Sequence, residues 1–377
     1  MRLERRADTP VWLRLGAPLG GVVAAAVLIS VILIATGQSI PNTYGSLFSA
    51  GFLEPDALST SLLTATPIVL TGLSAAVAFR TRLFNIGQEG QLYVGALGAV
   101  GVGLVLGKQA GVVVIPAMAV AGAVAGAGWA LVPGLLRAYL RTNEILTTLM
   151  LNYVAGLLIT YLIFNSNSYW RALSGPLAKS YPIGKSLTPA GWWPAWSVGG
   201  VAIPSGLILG LVVAVALLTA TRYTHVGFQW RVIGDSPAAA TYAGMRTSRL
   251  VLGILVLSGA LAGLGGAAQV GNLSHTLDPI GLQQAAYGYT GIVVAALAAF
   301  DPVVVVVYAI FLGAITSAAT QLEGPSFPVG MVGVIEGVIV FCVIAATLFT
   351  VFRVTRGKSS VHHHTPNEPR TDLVDRP

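Results

Sequence analysis

The chain has 377 residues, of which 55% are hydrophobic and 9% charged, with a net charge of +7. Soluble domains carry about 25% charged residues, so a water-solvated surface over most of the chain is excluded, and disorder, which needs low hydrophobicity, is excluded with it. One cysteine rules out a disulfide framework, and cations that flank apolar stretches, instead of forming a basic face with aromatic platforms, argue against nucleic acid as a partner.

At about 20 residues per crossing, the chain reads as an all-α polytopic membrane protein with about ten transmembrane helices. A cytoplasmic tail, 1–16, precedes a transmembrane domain, 17–352, and a second cytoplasmic tail, 353–377, reads as disordered. The predicted spans are 17–37, 59–79, 86–106, 111–133, 145–164, 202–220, 250–271, 286–300, 302–319 and 329–352. The first has a basic start like a signal peptide, but its apolar stretch is too long and lacks an A-x-A exit, so it reads as an uncleaved helix. The run Val303–Val307 would suggest a strand in water; in lipid a lone strand leaves its backbone unpaired, so helix is expected. Spans 286–300 and 302–319 are short and meet at Asp301-Pro302, which fits either a tight helical hairpin or one broken span. With ten spans and both termini inside, 17 of the 21 Lys and Arg fall on cytoplasmic segments, and only Lys108, Arg171, Lys179 and Lys185 fall outside.

Polar side chains inside these spans are expensive and need a partner or a cavity. Phe84-Asn85-Ile86-Gly87-Gln88-Glu89-Gly90-Gln91, at the mouth of the third span, fits a kinked segment lining a cavity; the alternative is a turn with Asn85 as cap and Glu89 in the first helical turn. In Asn143-Glu144-Ile145-Leu146-Thr147-Thr148-Leu149-Met150-Leu151-Asn152-Tyr153, Asn143, Thr147 and Glu144 can cap the fifth span. Asn152, two and a half turns on, either bonds a neighbouring helix or faces substrate. The loop 165–200, with Trp170, Trp192, Trp193 and Trp196, is expected on the outer membrane surface, where Trp is favoured. Glu336 in the last span is a buried acid, a helix–helix bond or a pathway residue, and Cys342 reads as a core residue. Gly122-x3-Gly126, Gly259-x3-Gly263 and Gly333-x3-Gly337 are packing signals.

The loop 221–249 is expected to hold a short helix capped by Asp235 or Ser236, with Pro237 at its first position and Gly244 at its end, exposing alanines. No phosphate-binding G-x-x-x-x-G-K-[ST], H-E-x-x-H or G-x-S-x-G motif is present, so no catalytic residue is assigned. His362–His364 reads as incidental, and no metal site is expected.

Ala238-Ala239-Ala240-x3-Gly244 resembles the E-A-A-x3-G coupling helix of ABC-importer permeases, with Ala238 where that pattern has Glu. Taken with 84–91, 143–153 and Tyr287-Gly288-Tyr289-Thr290-Gly291, the chain resembles the nucleoside and simple-sugar branch of the ribose/branched-chain amino-acid permease family, over about residues 60–350. The resemblance implies a type II ABC importer permease fold in a bacterial cytoplasmic membrane. It implies an ATP-binding subunit that uses ATP and Mg, a second permease subunit, homologous or identical, and an extracytoplasmic substrate-binding lipoprotein. This chain itself would bind no cofactor. Coupling to the ATPase would fall to Gly227, Gly234, Ala238, Ala239, Ala240 and Gly244. The pathway for a nucleoside would be lined by Asn85, Gln88, Glu89, Gln91, Glu144 and Asn152, with Phe84, Tyr153, Tyr287 or Tyr289 stacking on the base. For any one tyrosine, interface anchoring or core packing is the competing role. A ribose-type sugar is the alternative cargo. A proton-coupled transporter working through Glu89, Glu144 or Glu336 and a membrane scaffold are the competing classes.

Overall fold

In lipid, no water satisfies the backbone, so each crossing must pair its own N–H and C=O groups. The computed structural model describes residues 2–5, 11–54, 56–174, 178, 181–322, 333–335, 337–339, 341–342, 345–346 and 352–355. Strand β1 (Arg2–Arg5) is followed by helices α1 (Val11–Ala35), α2 (Ile40–Phe48), α3 (Ala57–Arg80), α4 (Gln88–Val105), α5 (Gly111–Leu140) and α6 (Glu144–Thr160). A hairpin of β2 (Ala195–Val198) and β3 (Val201–Pro204) leads into α7 (Ser205–Tyr223), α8 (His225–Asp235), α9 (Pro237–Tyr242) and α10 (Thr247–Gln269). Then come α11 (Pro279–Ala285), α12 (Tyr287–Leu297), α13 (Pro302–Leu322) and β4 (Phe352–Thr355). Among the described residues, six helices are long and apolar enough to cross a membrane: 57–80, 111–140, 144–165, 205–223, 247–274 and 302–321. The predicted spans at 17–37 and 86–106 are helical as α1 and α4.

Helix α3 is the centre of the bundle and is buried on nearly all sides. Its hydroxyls are tolerated there because each finds an acceptor: Thr66 bonds the carbonyl of Leu62 (2.8 Å), and Ser74 pairs with Ser258 of α10 (2.9 Å). The most extensive packing joins α5 to α10. Two of the predicted glycine spacings meet each other there. Gly126 lies against the carbonyl of Gly259 and the backbone of Gly263, and Gly122 against the carbonyl of Gly263. Gly95 of α4 abuts Gly263 from the other side, so three helices touch backbone to backbone. Gly333 and Gly337 have nothing of the chain within 4 Å, so the third spacing packs no helix within the described residues.

The broken region resolves into one interrupted passage followed by a tight turn. Helix α12 has eleven residues, a rise of about 16 Å, half of a hydrocarbon core ~30 Å thick. Helix α11 precedes it, separated only by Ala286 in the left-handed conformation (φ +48°). After α12, Ala299 and Phe300 are also left-handed (φ +47° and +64°), and Asp301 accepts from the N–H of Val303 (3.0 Å) to start α13. At one end of this passage Thr276 bonds the carbonyl of Lys185 (3.2 Å). At the other, Asp301 pairs with Arg222 at the foot of α7 (3.4 Å), and Phe300 meets Phe79 edge to face (5.8 Å). Residues 275–301 therefore run from the side of the 165–200 loop to the side of the α7–α8 corner.

The described residues of the tryptophan loop close over one end of the bundle. Trp170 donates its indole N–H to the carbonyl of Leu97 (3.0 Å), Trp193 is buried against Gly271, and Trp192 stacks on His275 (4.4 Å). Phe352–Thr355 pairs antiparallel with Arg2–Arg5. Glu336, His362–His364 and the remainder of the tail lie outside the described residues. Cys342 is buried.

Candidate functional site

Between α3 and α4 the chain leaves helical geometry while still inside the bundle, with Leu83 and Asn85 buried. Buried backbone outside a helix needs acceptors and donors from elsewhere. Helix α6 supplies them from one face. Glu144, Thr148 and Asn152 are spaced by four, and they accept from the N–H groups of Phe84 (3.5 Å), Ile86 (3.2 Å) and Gly90 (2.9 Å) in turn. Asn152 also donates to the carbonyl of Ile86 (2.7 Å). Glu144 is held by the guanidinium of Arg137 (3.1 Å), and Asn143 caps α6 by accepting from Ile145 (2.9 Å).

Asn85 turns the segment. Its Oδ1 accepts from Gly87 (2.9 Å), and its amide pairs reciprocally with that of Gln91 (3.0 and 3.1 Å) while donating to Ser258 (2.8 Å). The helix cap of α4 is Gly87, and Asn85 acts two residues earlier, within the turn. Glu89 sits in the first turn of α4, as the turn reading expects, and its carboxylate reaches another helix start. Oε2 accepts from the N–H groups of Gly288 (2.6 Å) and Tyr289 (3.1 Å), and the hydroxyl of Tyr93 joins the same carboxylate. These are the groups a helix start leaves unpaired, and the preceding Ala286 has no side chain to cap them. Gly288 is required by proximity, since a Cβ there would run into the backbone and carboxylate of Glu89. Thr71 donates to the carbonyl of Tyr287 (2.9 Å), and Asn152 to the hydroxyl of Tyr289 (3.3 Å). Four elements, α3, α4, α6 and α12, are thus tied at one depth.

The ten residues read from the sequence divide into two groups. Asn85, Gln88, Glu89, Gln91, Glu144, Asn152 and Tyr287 are buried, and most are committed to the polar network just described. Gln88 is fully buried, and its side-chain N and O have no partner among the described residues. Phe84 (44% exposed), Tyr153 (63%) and Tyr289 (39%) present their rings at the chain's surface. Tyr153 follows Asn152, which bonds Tyr289, so these two rings lie at the level of the network. Sequence reasoning missed Thr71, Tyr93, Thr148, Ser258 and Gly288. Thr148 had a signal in its four-residue spacing with Glu144 and Asn152, and Gly288 lies in the 287–291 motif; Thr71, Tyr93 and Ser258 are isolated polar residues in apolar helices. Among the described residues no group of His, Cys, Asp and Glu is arranged to hold a metal.

The α7–α10 corner also follows its sequence. Ser236 caps α9 by accepting from Ala239 (3.2 Å), with Pro237 at the first position. Gly244 has φ +76° with nothing within 4 Å of a Cβ, so its glycine serves the turn and not a close contact. Ala238 and Ala239 are exposed, whereas Ala240 is buried. Gly227 and Gly234 face inward: Gly227 abuts the carbonyls of Ala220 and Thr221, and Gly234 the carbonyl of Arg80 and Thr81. Trp230 and Ile233 bury the same face of α8. Helix α8 is thus seated on the end of α3, beside the segment that leads to Glu89.

The family model described as branched-chain amino acid transport system / permease component matches residues 57–358. Among curated relatives, a glucose ABC transporter permease protein of Haloferax volcanii is 32% identical, over 94% of this chain and 93% of that protein. A guanosine ABC transporter permease protein of Bacillus subtilis is 29% identical, over 87% and 92%. A nucleoside ABC transporter permease protein of Lactococcus lactis subsp. cremoris is 28% identical, over 86% and 89%.

Proposed function

The chain belongs to the permease-component family of branched-chain amino acid transport systems, and from that premise we propose that it forms the translocation pathway of an ATP-driven nucleoside importer. It is a multi-pass membrane protein and a transport component, not an enzyme; its relatives are ABC transporter permease proteins. In this reading it sits in a bacterial plasma membrane with the α7–α10 corner and both termini in the cytoplasm, where the positive-inside bias places them. It pairs with a second permease subunit, receives cargo from an extracytoplasmic binding protein, and docks an ATP-binding subunit that supplies ATP hydrolysis with Mg.

The observation that carries the cargo assignment is the pair of exposed rings, Tyr153 and Tyr289, standing at the depth of the Glu89–Asn152 network. A nucleobase offers a flat face for such rings, worth about 0.5–1.5 kcal/mol per aromatic pair beyond area burial. Motion would enter at α9, whose exposed alanines allow close approach by a partner. It would pass through α8, seated by Gly234 on the end of α3 and by Gly227 on the end of α7, to the Thr81–Gly87 segment and so to Glu89 and the start of α12. A rigid-body tilt of α8 would thereby shift a half-length helix at mid-membrane.

A sugar is the second reading, favoured by the 32% identity to the glucose permease. The test is uptake into proteoliposomes holding the full complex with its ATP-binding subunit and binding protein. ATP-dependent accumulation of labelled guanosine or adenosine, uncompeted by glucose or ribose, is the expected result. Uptake of the sugars alone would assign the second reading, and uptake by this chain without an ATPase, driven by a proton gradient, would remove the importer reading altogether.

A further inference from the structure

A groove of about 540 Å3 opens between α8 and the start of α10. It is lined by apolar Phe228, Met245 and Leu250 together with His225 and the exposed guanidinium side chains of Arg246 and Arg249. The walls are fixed by backbone bonds: Met245 donates to the carbonyl of Ala240 (3.0 Å), and Leu250 to that of Arg246 (3.1 Å). No carboxylate lines the groove. Among the described residues, neither Arg246 nor Arg249 is in a salt bridge, whereas Arg222 on the same corner has Asp301. From residue 222 to 250 the chain holds four arginines and one acid, Asp235.

Guanidinium groups beside an apolar slot suit a planar carboxylate carried next to an apolar side chain. The neighbouring surface is aromatic as well as basic. Tyr242 at the tip of α9 is 96% exposed, and Phe228 is half exposed. Tyr242 lies on α9, the helix read as the docking element, and a protein partner there would bury such rings as anchors.

We propose that this groove receives an acidic side chain, Asp or Glu, flanked by an apolar residue, from the ATP-binding subunit. The inference rests on the reading that this corner docks the ATPase, and it adds the chemistry of the contact. Docking is then led by positive charge on the permease side, from arginines outside the alanine helix. Electrostatic complementarity of this kind sets specificity and association rate.

The test uses the assembled transporter. The Arg246→Glu/Arg249→Glu double variant is expected to weaken binding of the ATP-binding subunit at least about ten-fold; Arg246→Gln/Arg249→Gln should fall between it and the unaltered protein. Binding of the unaltered complex should weaken with rising salt, and exchanging the matching acid on the ATPase for Arg should restore binding to the double Glu variant. Gly244→Arg, which strains the α9 turn, separates this proposal from the docking reading. Release of the ATPase by Gly244→Arg together with normal binding by the double Glu variant overturns the groove alone. Normal binding by both overturns the docking reading and the groove with it. Normal ATPase binding by the double Glu variant, with lost binding to phosphatidylglycerol vesicles, makes the groove a lipid site and overturns the proposal. Should the double Glu variant melt early, the Gln pair supplies the same comparison.

Discussion

Removing the Glu89 carboxylate would leave the N–H groups of Gly288 and Tyr289 without acceptors, deep in the bundle. Each buried donor left unpaired costs about 1–3 kcal/mol, so Glu89→Ala is expected to destabilise the chain by about 2–6 kcal/mol and to abolish uptake. Glu89→Gln keeps an acceptor oxygen and should retain most of the stability. Thermal unfolding in detergent, run beside uptake in proteoliposomes, checks both; equal loss in the two variants would show that charge, and not acceptance, is what α12 needs. The residue types at 84–91 and 143–153 are legible in the sequence as a polar cluster out of place in lipid. Their pairing is not, because Glu89 meets Gly288 199 residues away and Asn152 meets Ile86 66 residues away. A local pattern cannot specify such partners. The Asn85 turn came closest to being readable, since Asn followed by Gly two residues on has a local mechanism.

At the scale of elements, the α5–α10 crossing depends on absent side chains. Gly263 faces the carbonyl of Gly122 and the backbone of Gly126, so a methyl group there must push two helices apart. Gly263→Ala is expected to cost about 1–3 kcal/mol. Gly128, on the same α5, has nothing within 4 Å, and Gly128→Ala should be neutral or stabilise by up to about 1 kcal/mol through helix propensity. Comparing the melting temperatures of the two variants tests the crossing, and equal effects would refute it. The long helices were legible because lipid demands about twenty apolar residues in a row, and the glycine spacings correctly marked packing on α5 and α10. Helix α2 was not, since it has no apolar run; the β2–β3 hairpin does carry a turn signal, Gly199-Gly200, both at positive φ (+60° and +85°), but its four-residue strands are too short to read from a pattern. The start of α12 falls where the predicted span 286–300 begins, whereas the short helix α11 before it was not legible, and Ala286 between them carries no breaker chemistry of its own.

Over the whole molecule, the 165–200 segment and the end of α10 form a cover tied by His275. Its carbonyl accepts from Leu187 (2.8 Å), and its ring stacks on Trp192. Burial pushes the His275 imidazole below its ordinary value of 6.5, against a smaller opposing effect from backbone bonds to Val270 and Gly271. The folded state therefore prefers the neutral ring, and the unfolded chain takes up more protons as pH falls through 6.5. Stability from this group is present above that pH and declines on acidification. Melting of the purified protein should drop between pH 7.5 and pH 5.5, values chosen at about one unit either side of an unperturbed histidine, and drop less in His275→Asn. An identical pH response in both would place the acid sensitivity elsewhere.

The carboxylate of Glu89 has one further consequence, for what can be carried. Half-length helices at mid-membrane often aim their positive ends at an anionic solute. Here the N–H groups of Gly288 and Tyr289 at the start of α12 are already taken by a carboxyl oxygen of the chain, so a phosphate or carboxylate arriving at that depth finds those donors occupied. Solutes without net charge need no such donors. Adenosine should therefore compete for uptake where adenosine monophosphate does not, and leucine, zwitterionic despite its apolar side chain, should fail alongside the nucleotide.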